Sequence, residues 1–285
     1  MRIVLITISL FIELLSSLTA HAAVNEKFVV YYSDKEPVTS FDDYDLLVFD
    51  SRYHPDIQPI SEGRKTILGY ISLGEIEQGT PYFLLMKNGG ILLNENENWK
   101  GAYSIDIREP LWQKTVIEEM IPGILRDGFN GIFIDTLDSS IELERSNPKK
   151  YAGMADAAIR LIQAIRLHYP DIKIMLNRAY AIMPKVSPYI DMELGESVLH
   201  TYNFNKKSYE PVDNEQYISQ VKWLQNAKLR NKKLKIYTLD YADKNDSTKI
   251  ANIYRIQRAN GFIPYVTTIS LNELIPEPIM FGSAK

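Results

Sequence analysis

Short, mostly apolar runs recur along the chain at residues 28–32, 46–49, 66–71, 131–134, 173–176, 190–194, 235–239 and 262–266. They are rich in β-branched and aromatic residues and too short for core helices. Each therefore reads as a strand buried on both faces, as strands of a parallel sheet are. Between the runs the apolar positions change to helical spacing. Glu109-Pro110 opens one helix, because a proline in the first turn removes no intrahelical bond. Trp112, Val116, Ile117, Met120, Ile124 and Leu125 form its buried stripe, which Pro122 must kink or shorten. Residues 151–169 predict a second helix, with Ala155, Ala158, Ile159, Ile162 and Ile165 on one side and Pro170 stopping it. Tyr217, Ile218, Val221 and Leu224 mark a third. Ile250, Ile253, Tyr254 and Ile256 mark a fourth, closed by Gly261.

Eight strands alternating with helices over about 240 residues predict an α/β fold, a single-domain (β/α)8 barrel. The alternative is an open doubly wound sheet, but the chain has no G-x-G-x-x-G or G-x-x-x-x-G-K turn to bind a nucleotide. Residues 80–106 break the alternation and are too irregular for one crossover helix. A loop that long in a compact domain is expected to be functional.

The first residues follow different rules. Arg2 precedes a mostly apolar stretch from Ile3 to Leu18, and Ala20-His21-Ala22 has the small-x-small pattern of a signal peptidase site. This predicts a signal peptide over residues 1–22 and a barrel domain over 23–285, secreted or periplasmic, with no stable membrane anchor. The chain has no cysteine, so neither a disulfide nor a thioether lipid can brace or tether it. Its 285 residues, 45% hydrophobic and 24% charged, suffice for one well-buried core. The net charge of −4 offers no surface for nucleic acid.

Polar residues follow the apolar runs almost all the way round: Asp34, Asp50, Glu75 and Glu77, Asp135 and Asp138, Asn177, Glu196, and Asp240 with Tyr241. In a barrel the catalytic groups stand at the C-terminal ends of strands. Any one such residue is what a strand reaching solvent shows; a ring of them marks a site. NGIFIDTLD at residues 130–138 delivers Asp135, and YIDMELGES at 189–197 delivers Glu196, each on the tip of its own strand. Two acids so placed predict hydrolysis by paired carboxylates. Tyr70, Trp99, Tyr202 and Tyr241 suit stacking on sugar rings. Competing chemistries lack their parts: His54, His168 and His200 form no H-x-x-H, there is no G-x-S-x-G, and cysteine catalysis is excluded. Residues 243–247 lack the glycine and glutamate of a calcium loop and read as a solvated loop and helix cap.

The phrases GYISLGEIE at 69–77, GFNGIFIDTLD at 128–138 and ELGES at 193–197 resemble glycoside hydrolase family 114, the endo-α-1,4-polygalactosaminidases. The resemblance covers essentially the whole mature chain and implies a (β/α)8 barrel. Carried over by motif, it implies Asp135 as nucleophile and Glu196 as general acid/base, with Glu193 ranked second because it lies within the strand. It also implies Glu77 and Glu75 as substrate ligands, with Asp138 supporting the nucleophile. The expected partner is a cationic amino-sugar polysaccharide, handled by a monomer without cofactor or metal. The alternative is a catalytically silent barrel that binds or guides such a polymer.

Overall fold

The computed structural model describes residues 26–278. Its centre is an eight-stranded parallel sheet whose strands follow one another in chain order. These are β1 (Phe28–Tyr31), β2 (Leu46–Phe49), β3 (Thr66–Ser72), β4 (Gly131–Asp135), β5 (Lys173–Asn177), β6 (Met192–Glu196), β7 (Lys235–Tyr241) and β8 (Ile263–Thr267). The sheet curls until its edges meet. Phe28 packs on Tyr265 with ring centroids 5.9 Å apart, and the Tyr32 amide donates to the Leu271 carbonyl at 2.7 Å. No ladder joins β8 to β1 among the described residues, and Pro264, which has no N–H, lies in that edge strand. The architecture is the (β/α)8 barrel.

The observed strands differ from the predicted runs mainly at their ends. β6 begins two residues later than its run and finishes on Glu196. The cause lies in Asp191, whose carboxylate accepts from the Arg166 guanidinium at 2.7 Å and the Ile174 amide at 2.9 Å, holding the strand entry as a turn. β7 runs two residues longer than its apolar run, to Tyr241.

Helices cover the outside. Residues 110–126 form one rod whose middle, Val116–Met120, is widened into a π turn. The wider turn keeps the Pro122 ring clear of the carbonyl four residues back, and the Tyr169 hydroxyl bonds the Ile117 carbonyl. Met154–His168 is the predicted second helix, and it is preceded by Leu137–Ser146, which sequence periodicity did not reveal. Asn214–Arg230 and Ser247–Ala259 are capped by Asp213 and Asp246, whose carboxylates accept first-turn amides. Residues 80–106 are not a structureless loop. They carry the helix Phe83–Asn88 and two strands, Leu92–Glu95 and Ala102–Ile105, which join Glu75–Glu77 in an antiparallel sheet. A hairpin, His200–Asn203 with Ser208–Pro211, follows β6.

Gly131 opens β4 where neighbouring strands press close: a Cβ there meets the Lys173 carbonyl oxygen at 2.2 Å and the Leu68 side chain at 2.7 Å. Gly131→Ala is therefore expected to destabilise the fold by about 1–3 kcal/mol, the cost of overpacking a dense core. Urea unfolding checks this, and an unchanged midpoint contradicts it.

Candidate active site

Three neighbouring strands end on the residues that form the site: β4 on Asp135, β5 on Asn177 and β6 on Glu196. The residue after each adopts the left-handed conformation, with φ of 65° at Thr136, 55° at Arg178 and 53° at Ser197. Non-glycine residues rarely adopt this conformation, least of all a β-branched threonine. Neighbouring chain holds each turn in place. The Leu73 amide donates to the Asp135 carbonyl, Arg178 to Leu194 and Ser197 to Leu239, at 2.8–3.0 Å. The Thr136 hydroxyl also accepts from the Gly74 amide at 2.9 Å. Gly74 is required there, because a Cβ would fall 2.0 Å from the Thr136 carbonyl oxygen. The ladder thus extends just past each functional residue, and the chain then turns away sharply. Each side chain is left upright at the rim.

Asn177 lies between the two carboxylates. Its Nδ2 donates to Asp135 Oδ1 at 2.8 Å and to Glu196 Oε2 at 2.7 Å. Two bonds of 2.8 and 2.7 Å to one nitrogen cap the separation of those oxygens at their sum, 5.5 Å. Turning the amide over would point Asn177 Oδ1 at both acids, so its orientation is set. The other Glu196 oxygen accepts from the Tyr241 hydroxyl at 2.5 Å. Tyr70 and Tyr32, edge to face at 5.3 Å, complete the floor of a groove of about 710 Å³.

Burial first, then the charge of Glu196 and that of Asp138, push the Asp135 carboxyl up to about 7, against the bonds from Asn177 and the Thr136 amide. The same burial raises Tyr70 and Tyr241, assisted by Asp135 and Glu196 respectively, so both phenols remain donors. Near neutral pH the pair therefore shares a proton that rests on Asp135. Two close carboxyls sharing one proton are the equipment of acid–base and nucleophilic hydrolysis. No group of three or more His, Cys, Asp or Glu among the described residues is placed to hold a metal ion.

The profile of glycoside-hydrolase family GH114 matches residues 16–278. The chain belongs to that family. It is a glycosidase. Among solved structures it resembles the glycoside hydrolase domain of PelA from Pseudomonas aeruginosa, at 19% identity and a TM-score of 0.75, over 88% of this chain and 98% of that one. It also resembles Aspergillus fumigatus Ega3, solved in complex with galactosamine, at 14% identity and a TM-score of 0.63, over 90% and 96% of the two chains. At these identities the likeness is one of fold. An uncharacterized protein of Deinococcus radiodurans is 24% identical over 77% of this chain and 69% of its own length.

The groove brings together Asp135, Asn177, Glu196, Tyr70, Tyr241, Glu75 and Glu77 from the strand ends singled out in the sequence. Glu77 is exposed and pairs with Arg52 at 2.8 Å. Glu75 is buried, and both its oxygens accept from Asn96 Nδ2, at 3.1 and 3.0 Å. Asp138 lies outside the groove lining and pairs with Arg178 at 3.3 Å. Two further members of the strand-end ring, expected to bind substrate, also lie outside the lining. Asp34 is exposed and lies outside the groove lining. Asp240 is fully buried, its oxygens taken by the Leu199 and His200 amides and Gln257. β7 runs past Asp240, and strand alternation sends that residue to the helix side and Tyr241 to the groove. Glu193 is likewise turned outward and wholly buried with both oxygens unpaired, so burial raises its carboxyl well above the ordinary range. Tyr32, which ends the first apolar run, and Arg178, which follows the fifth, also line the groove, as does Asn96, for which the apolar runs carry no signal.

An unfolded Asp titrates near 3.9, so between about 4 and about 7 the folded state binds the extra proton at Asp135. Stability must fall as pH rises through that window. Asp135→Asn removes the effect. Its melting temperature relative to wild type should therefore rise from pH 5 to pH 8, and parallel curves in thermal unfolding contradict this.

Proposed function

We propose that this glycosidase is a secreted, endo-acting enzyme that cleaves α-1,4-linked, galactosamine-rich exopolysaccharide by a retaining mechanism, with Asp135 and Glu196 as its catalytic pair. The observation that carries the mechanism is the shared Asn177 nitrogen. A cap of 5.5 Å on one oxygen of each carboxyl supports the ~5–5.5 Å separation of retaining glycosidases over the ~6.5–9.5 Å that an inverting enzyme needs for its water. The substrate class is supported by the family, by the galactosamine bound to Ega3, and by the groove's own charge. Asp50, Glu75, Glu77 and Asp127 line it alongside the catalytic pair, with Arg52 and Arg178 as the opposing cations among the described residues. Amines on the polymer are cationic near neutral pH and suit such a groove. Secretion rests on the pattern of residues 1–22, which lie outside the described residues. No described helix is long and apolar enough to cross a membrane.

Asp135 attacks the anomeric carbon as the glycosidic C–O bond breaks, and Glu196 gives its proton to the departing oxygen. Water then attacks the same carbon, Glu196 takes the water's proton, and the Asp135–sugar bond opens. Attack needs an ionised Asp135, whereas the resting proton lies there. An ammonium on the bound sugar favours the charged carboxylate, so substrate binding assists that ionisation and leaves the proton for Glu196. Tyr241 and Asn177 hold the Glu196 oxygens in either state.

The test is release of reducing ends from partially deacetylated poly-galactosamine. Wild type should cleave, with kcat/KM falling as pH rises through about 7, where the pair loses the single proton that Glu196 must donate. Asp135→Asn and Glu196→Gln should each lose at least about 10²-fold in kcat. Activity that keeps rising above that pH contradicts a single proton shared by the pair. Binding without cleavage by folded wild type contradicts the enzyme and favours a silent polysaccharide-binding barrel.

A further inference from the structure

Two segments interrupt the barrel's strand–helix alternation, and they meet over the groove. One is the sheet following β3, whose turn carries Trp99; the other is the hairpin following β6, whose turn carries Phe204. The two rings touch edge to face, centroids 5.5 Å apart and planes at 79°. Both remain open to solvent, Trp99 54% and Phe204 37% exposed, and both line the same groove as Asp135 and Glu196. Single exposed aromatics are ordinary on a surface. A pair from separate arms, held in contact above a polar groove, is a built feature.

Each arm is anchored by a strand-end acid that does no chemistry. Glu75 accepts twice from Asn96 Nδ2, while Asn96 Oδ1 accepts from the Asn98 and Trp99 amides at 2.9 and 3.2 Å. That relay fixes the turn presenting the indole. On the other arm, Asp240 holds the Leu199 and His200 amides at the root of the hairpin. Tyr202 packs on Phe204 at 5.2 Å and Tyr209 on Tyr202 at 5.1 Å. An edge-to-face pair keeps a ring face free. Aromatic faces stack on the apolar C–H face of a pyranose, and they attract an amino sugar's ammonium by the cation–π effect.

We propose that Trp99 and Phe204 form an aromatic clamp that grips a sugar unit away from the scissile bond and makes the enzyme prefer long chains. The inference rests on the glycosidase reading and extends it to a second binding position. Glu75 and Asn96 are positioning residues for the clamp.

The experiment compares poly-galactosamine with a short chromogenic galactosaminide, using wild type, Trp99→Ala, Phe204→Ala, Asn96→Ala and the control Trp223→Ala, all as full-length chains. Trp223 is exposed on the helix Asn214–Arg230 and lies outside the groove lining. The two clamp variants should lower the preference for polymer over short substrate roughly tenfold, through KM rather than kcat, the size of one aromatic contact. Asn96→Ala, which releases the turn without removing a ring, should shift the preference in the same direction. Trp223→Ala should leave it in place. Wild type that cleaves polymer while both clamp variants retain its KM overturns the clamp alone, as does an equal loss on both substrates. Wild type that neither binds nor cleaves polymer contradicts the glycosidase reading and the clamp together.

Discussion

One amide nitrogen sets the geometry of this protein's site. Asn177 Nδ2 donates to a carboxylate on each side, so the positions of Asp135 and Glu196 are coupled through a single atom on the strand between them. Everything around it serves that coupling. The ladder pairs β4 with β5 and β5 with β6, and a left-handed residue follows the end of each strand. Residues in that conformation are strained and persist only where surrounding bonds over-determine them. The Gly74–Thr136 contact and the cross-strand amides supply those bonds.

The ring of strand-end polar groups divides into two kinds of work. Asp135 and Glu196 face each other at the groove, where burial and mutual repulsion favour one shared proton. Glu75 and Asp240 look alike in sequence yet spend their oxygens on Asn96 and on backbone amides. A buried carboxylate that accepts several N–H bonds is stable, and it fixes whatever carries those donors. Here the donors belong to the two arms that cross the groove. The same residue type thus supplies both the proposed reacting groups and the braces for the surface above them.

Much of this was legible in the chain. Eight apolar runs with helical spacing between them lead to the barrel, and the acids after runs four and six are the pair in the groove. Apolar runs end before strands do, however. Leu239 closes the run, but the ladder continues through Asp240 to Tyr241, and that extra length decides which of the two meets the groove. The sheet within residues 80–106 was hidden because its strands are only four residues long and the first ends on two exposed polar residues, so no apolar period marks them. Contacts such as Trp99 with Phe204 join residues far apart in sequence, and neither local pattern announces the other.

The most direct measurement is the anomeric configuration of the first product, followed by proton NMR during early hydrolysis of an α-linked galactosamine oligomer. A nitrogen that keeps one oxygen of each carboxyl within 5.5 Å of the other supports the shorter, retaining spacing. The first reducing end should therefore be the α anomer, with β appearing later by mutarotation. A β anomer formed first would mean that the carboxylates stand apart during turnover, contradicting the role given to Asn177.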